Sequence, residues 1–200
     1  MYFCKNQTHP FMTYQFKIQI KGITKPPVWR KVAVPADFTF HQLHHVIQIA
    51  FGWKDYHLYA FQDKMYQSSI RIALPSENDW DFGVETLDAS KFKLSGMFSG
   101  NIRKFLYVYD FGDDWVHEIT LEAVTDEKRS DAFCISGKGA CPPEDCGGCY
   151  GYENIKRIFQ TSPRGEEAAG YRQWLGLDKG ETWDANAFDL EEVNENLKRV

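Results

Sequence analysis

Two strand-like runs joined by three turn-forming residues constrain this chain more than any other feature. In KFLYVYDF (104–111), Phe105, Tyr107 and Tyr109 face one way while Leu106 and Val108 face the other. Apolar residues on both faces predict a central strand. In WVHEITLEAV (115–124), Trp115, His117, Ile119 and Leu121 share a face opposed by Glu118, Thr120 and Glu122. Gly112-Asp113-Asp114 has the composition of a tight turn, because Asp side chains bond nearby N–H groups and Gly tolerates positive φ. Whatever the chain folds into must accommodate this hairpin.

The flanking sequence extends the sheet. YQFKIQIKGI (14–23) alternates apolar and polar residues, Pro26-Pro27 interrupts it, and VWRKVAV (28–34) resumes the alternation, which predicts a first hairpin. The period then changes. Phe40, Leu43, Ile47, Ala50 and Phe51 recur every three or four residues, giving an amphipathic helix capped by Asp37 or Thr39 and ended by Gly52. HLYAFQ (57–62) and residues 66–74 read as two further strands. Residues 75–100 read as a long polar excursion with at most a short helical turn, and residues 137–150 as an exposed loop.

After Cys149 the pattern is helical. Ile155, Ile158 and Phe159 form one stripe, Ser162-Pro163 suits the start of a second helix, and Asp189 with Glu192 caps a last helix over 190–199. Strands first and helices last predict an α+β fold. It would have a mainly antiparallel sheet, one helix after the first hairpin and a helical C-terminal third. A single domain over 1–200 is expected, with a strand-rich core at 14–125 and the helices of 149–200 packed on it.

Composition narrows the functional classes. The formal net charge of -5 gives no general basic field for a nucleic-acid backbone, so direct nucleic-acid binding is not expected. Lys17, Lys21, Lys25, Arg30 and Lys31 are read as the solvated face of a hairpin. No apolar run approaches the roughly 18 residues of a membrane span, and the first residues lack the layout of a secretory leader. The five cysteines are then thiols or metal ligands in a reducing cytoplasm.

Chemistry could reside in three places. His117, on an apolar face, is either a core histidine or part of a pocket with Asp110, Asp113 and Trp115, joined by His44 and His57. The HQLHH helix places His41 and His45 one turn apart, able to share a metal, though Gln42 and Gln48 suggest that this face meets solvent. Cys134, Cys141, Cys146 and Cys149 offer a four-sulfur zinc site. The Cys146-Gly-Gly-Cys149 gap suits zinc, whereas the spacing of Cys134 and Cys141 is wider than usual. Cys149, close to a helix start, is also a candidate for a lowered pKa and redox chemistry. P-loop, GxGxxG, GxSxG, HExxH and kinase signatures are absent from the sequence.

Several short motifs agree in order with one family. They are PPVWRKVAVP (26–35), Phe40-x-x-Leu43-His44, FGW (51–53), HLYAF (57–61), YDFGDDWVH (109–117), CPPEDCGG (141–148) with Gly151-Tyr152, WLG (174–176) and FDLEEVN (188–194). The chain resembles the plasmid pRiA4b ORF-3-like proteins, some of which are passengers of an insertion element. The resemblance implies a compact α+β fold and a mobile-element accessory role, with no assigned activity. Its family-like residues are Trp29, Arg30, His44, Trp53, His57, Asp110, Gly112, Asp113, Trp115, His117, Cys141, Pro142, Glu144 and Asp145. Cys149 departs from the family pattern.

Three functions compete on this reading. The missing catalytic signatures favour a non-catalytic cytoplasmic binding module acting through a protein partner. A metal-dependent, hydrolase-like enzyme requires His44, His57, Asp113 and His117 to converge. A zinc-stapled scaffold requires the four cysteines to do so.

Overall fold

The computed structural model describes residues 12–75 and 84–200. The leader expectation and Cys4 fall on residues 1–11, outside the described residues, as does the 76–83 part of the polar excursion. The described chain forms β1 (Thr13–Ile20), β2 (Trp29–Pro35), α1 (Phe40–Phe51), β3 (Tyr59–Gln62), β4 (Arg71–Ala73), β5 (Thr86–Asp88) and α2 (Leu94–Phe98). There follow β6 (Lys104–Tyr109), β7 (Trp115–Thr125), β8 (Phe133–Lys138), α3 (Gly148–Thr161), α4 (Glu166–Leu175) and α5 (Leu190–Leu197).

One eight-stranded sheet runs in the order β5-β4-β3-β6-β7-β1-β2-β8. Every pairing is antiparallel except β4 with β5. The fold is therefore α+β on a mainly antiparallel sheet. Both expected hairpins form, with Phe16 opposite Val32 and Tyr107 opposite His117. No helix among the described residues is long and apolar enough to cross a membrane.

Alternation decides which face is buried. Tyr14, Phe16, Ile18 and Ile20 of β1 lie inside, as do Phe105, Tyr107 and Tyr109 of β6 and Trp115, Ile119 and Leu121 of β7. Helix α1 belongs to the same core through Phe40, Leu43, Val46, Ile47, Ala50 and Phe51. Its ends are fixed locally: Thr39 and Gln42 form a reciprocal capping box, and Gly52 closes the helix at φ 90°. The open face carries Lys17 over Trp29 and the Lys31–Glu122 ion pair at 3.0 Å.

Six expectations are corrected. Arg30 is not on the solvated face: it is 2% exposed, and its guanidinium donates to the carbonyls of Ala50, Trp29, Lys138 and Gly139 at 2.7–3.0 Å. The stretch 66–74 yields only the three residues of β4, and the excursion contains β5 as well as α2. Strand β8 lies where no strand was expected and pairs with β2. Its sequence, FCISGK, has small and polar residues instead of clean alternation. Ser162 ends α3, and α4 begins only at Glu166 after Gly165. Finally, the β6–β7 turn spans residues 110–114 between paired Tyr109 and Trp115, and its positive-φ residues are Asp110 and Asp114, not Gly112.

Towards the C-terminus, α3 buries Tyr152, Ile155, Ile158 and Phe159, and the last three cluster with Ala168 of α4. Helix α5 lies along β8 and against α1, started by Asp189 accepting from the Glu192 N–H at 2.9 Å.

Candidate functional site

Three irregular segments meet at the β6 end that leads into the 110–114 turn. The first, residues 52–58, connects α1 to β3 and carries His57. The second is the turn itself, with Asp110 held at φ 56°. Its N–H donates to the Leu58 carbonyl at 3.0 Å, and its Oδ1 accepts from the Gly112 N–H at 2.9 Å. The third is the loop over 141–147, which brings Glu144 and Asp145, the latter at φ 55°. Asp113 ties two of the segments together by accepting from the Gly147 N–H at 3.0 Å.

His57 Nε2 lies at the centre of these segments. It is 3.7 Å from Asp110 Oδ2, 3.9 Å from Glu144 Oε2 and 3.1 Å from Asp145 Oδ1. None of the three is aligned for a hydrogen bond, and Nε2 has no such partner. The side chains of Glu144 and Asp110 are the least exposed of the four, at 9% and 11%. Glu144 Oε1 accepts from the Lys54 N–H at 2.7 Å and from the Tyr109 hydroxyl at 3.0 Å, while its Oε2 has no hydrogen-bond partner. Tyr109 in turn accepts from the Tyr56 N–H at 3.0 Å, and burial raises its hydroxyl pKa. One ligand atom from each of His57, Asp110 and Asp145 falls within 4.8 Å of the others, a spacing that could hold a metal ion.

Of the six residues expected to share a pocket, the structure thus brings together His57 and Asp110. Asp113 acts as a tether. Trp115 is buried and packs on Trp53 with ring centroids 5.5 Å apart. His117 is buried inside the sheet face, where its Nδ1 meets the Trp115 carbonyl at 2.8 Å and its ring packs edge-on to Phe51. Burial lowers its pKa to about 4, so at neutral pH the ring is uncharged and Nδ1 donates. His44 belongs to a different network. Its Nε2 lies 2.9 Å from Asp55 Oδ1 and its Nδ1 2.8 Å from the Tyr107 hydroxyl, which also accepts from Gln48. Burial, then His45 and His41, lower its pKa to about 3. The uncharged ring therefore carries its proton on Nε2, facing the carboxylate, and accepts from Tyr107 at Nδ1. Gln48 is buried, contrary to the solvent-facing expectation.

The cysteines do not converge. Cys134 is buried in β8, while Cys141, Cys146 and Cys149 are half-buried, and all four are free. Among the described residues, neither group with metal-ligand spacing contains a sulfur. Burial raises the Cys134 and Cys146 pKa values to about 11 and about 12. Cys149 lies in the first turn of α3, yet burial and Glu153 raise its pKa, so the expected activation by the helix start is overturned.

Glu144 and Asp145 are the site residues that local reasoning missed. Their signal was the CPPED motif itself: two carboxylates directly after Pro142-Pro143, in a segment without helical or strand period. Beside them, an open groove lined by Asp145, Cys146, Glu167, Tyr171 and Trp174 leads to α4.

Comparison with known proteins supports the motif series. The chain is 32% identical over 175 residues to the uncharacterized protein y4hQ of Sinorhizobium fredii (strain NBRC 101917 / NGR234), covering 86% of each chain. It also resembles the crystal structure of MM3350, a protein of unknown function from Methanosarcina mazei Go1. That match has a TM-score of 0.76 and 34% identity, covering 90% of this chain and 97% of that one. The profile of the family described as plasmid pRiA4b ORF-3-like protein matches residues 12–192, and the chain belongs to that family.

Proposed function

We propose that the protein works through a divalent cation held by His57, Asp110, Glu144 and Asp145, as a metal-dependent protein of hydrolase-like type. One observation carries this reading. The Glu144 carboxylate is buried with Oε2 unpartnered, 3.9 Å from an imidazole nitrogen that also lacks a hydrogen-bond partner. An unsatisfied buried charged oxygen costs roughly 1–3 kcal/mol or more, and a cation between the two groups removes that cost. Carboxylates with one imidazole suit a hard divalent ion such as Mg2+ or Mn2+. Asp145, 67% exposed, leaves one side of the ion to solvent, so a bound water could be activated there and face the groove towards α4.

Calorimetric titration of the full chain with Mn2+ and Mg2+, against E144Q and H57A, tests the site. Saturable binding by the wild type that both variants lose supports the reading, and equal binding by all three overturns it. Hydrolysis of ester and phosphoester chromogenic substrates with and without the ion then tests the reaction type.

A second reading, a binding module that docks a protein partner, draws on the exposed apolar residues Tyr56, Leu58, Phe111 and Tyr150. The first two flank His57 in sequence, and Phe111 follows Asp110. A metal-dependent partner in pulldown, without turnover of any substrate, would favour it.

A further inference from the structure

A second group of ligand-type side chains lies on α1 and shares no residue with the site above. Spacings of three and four residues place His41, His44 and His45 together, with His41 and His44 stacked at 5.8 Å and His45 tilted against both. Asp55 approaches from the 52–58 segment, held at φ 56° with its N–H donating to Gln48 Oε1 at 2.8 Å.

We infer that His44, His45 and Asp55, flanked by His41, form a separate site for an imidazole-preferring transition metal such as Zn2+, Ni2+ or Cu2+. One ligand atom from each of the first three falls within 4.8 Å of the others. One separation within this group suits a coordination shell. His44 Nε2 and Asp55 Oδ1 are 2.9 Å apart, and the flanking His41 holds its Nε2 3.2 Å from His45 Nε2. Neighbouring ligands of a tetrahedral ion with metal–nitrogen bonds near 2.0 Å are about 3.3 Å apart.

The outer contacts also fit. Tyr59 on β3 holds His41 Nδ1 at 2.9 Å, and Tyr107 on β6 holds His44 Nδ1 at 2.8 Å. Both rings are thus oriented through one nitrogen, which for His44 leaves Nε2 for the ion, as outer-shell partners of metal-bound histidines do. An ion at His44 takes the place of the Nε2 proton now directed at Asp55. Asp55 is 45% exposed and His45 half-buried, so an ion can enter from solvent. A majority of imidazole ligands favours Zn2+, Ni2+ or Cu2+ over Mg2+ or Ca2+, the reverse of the carboxylate-rich site.

The test is Cu2+ and Ni2+ titration of the full chain, with electron paramagnetic resonance of the Cu2+ form, on the wild type, H45A, D55N and E144Q. The expected result is a Cu2+ spectrum coupled to more than one imidazole nitrogen. That binding should be retained in E144Q and weakened about tenfold or more in H45A and D55N. If H45A proves misfolded by circular dichroism, D55N decides, since its side chain is partly in solvent. Wild-type affinity and spectrum in D55N, or loss of the nitrogen-coupled signal in E144Q, overturns the inference and leaves these histidines a purely structural network. Neither outcome bears on the Mn2+ and Mg2+ titration of the first site.

Discussion

His57 Nε2 and Glu144 Oε2 face each other 3.9 Å apart, and neither has a hydrogen-bond partner. Both come from irregular segments held in place by backbone bonds to their neighbours, so the pair is not a product of loose side chains. Lys54 and Tyr109 fix one Glu144 oxygen and leave the other facing the imidazole. Fold and chemistry meet here: the end of β6 supplies Tyr109, and the turn after it supplies Asp110.

The first prediction separates stability from binding at this pair. In E144Q the remaining carbonyl oxygen can still accept from Lys54 and Tyr109, while an amide replaces the unpartnered charge. The apo variant should therefore melt at or above the wild-type temperature. Wild type at a hundredfold excess of Mn2+ over its dissociation constant should gain about 2.7 kcal/mol, and E144Q should gain nothing. Thermal melts with and without Mn2+ read both effects, and a metal-induced shift in E144Q equal to the wild type would refute the assignment.

Arg30 predicts a large loss. Its guanidinium serves four carbonyls from β2, the end of α1, the last residue of β8 and the residue after it, and stacks on Phe188 at 4.1 Å. Replacing it by Met keeps the apolar stem but leaves several buried acceptors unpaired. R30M should lose on the order of 3–5 kcal/mol in urea denaturation. A loss below about 1 kcal/mol would mean that water replaces the guanidinium at those carbonyls.

Legibility in the sequence followed locality. The β1–β2 and β6–β7 hairpins and α1 were readable because their signals are local: alternation in the strands, and in the helix a three-to-four spacing closed by Gly52. Strand β8 was not, because FCISGK takes its extended form from pairing with β2 rather than from its own residues. The same holds for the three residues of β5, which pair in parallel with β4. At the site, His57 and Asp110 were named, but their grouping with Glu144 and Asp145 depends on three distant segments converging. His117 had two readings, a core histidine or a member of a pocket, because a histidine on an apolar face fits either. In the fold it is satisfied at Nδ1 by the carbonyl two residues before it.

Gly151 tests whether the loop over 141–147 must sit where it does. A Cβ at this position would overlap the Cys146 carbonyl oxygen, a backbone atom that cannot swing aside. G151A should push the loop away from α3, costing roughly 1–3 kcal/mol. Because Glu144 and Asp145 ride on that loop, Mn2+ affinity should fall although residue 151 touches no ligand atom. Calorimetry on the folded variant checks this, and unchanged affinity would show that the loop can move without carrying the carboxylates.

The last prediction concerns acid. His117 is held at a pKa of about 4 by burial, against an ordinary value of 6.5. Between those two values the unfolded chain takes up a proton that the folded chain refuses, so stability falls as pH falls. The contribution is complete above about pH 6.5, declines through the window and is flat below about pH 4, a total on the order of 3 kcal/mol. In H117F, stability at pH 7 should already be lower, because the Trp115 carbonyl loses its donor. The slope near pH 5.5, however, should flatten by about 1.4 kcal/mol per pH unit, one proton's worth. Urea denaturation at a series of pH values measures that slope. An H117F slope identical to the wild type would mean that the ring is already protonated in the folded protein, and hence that the packing of Phe51, Trp53 and Tyr107 around it admits water.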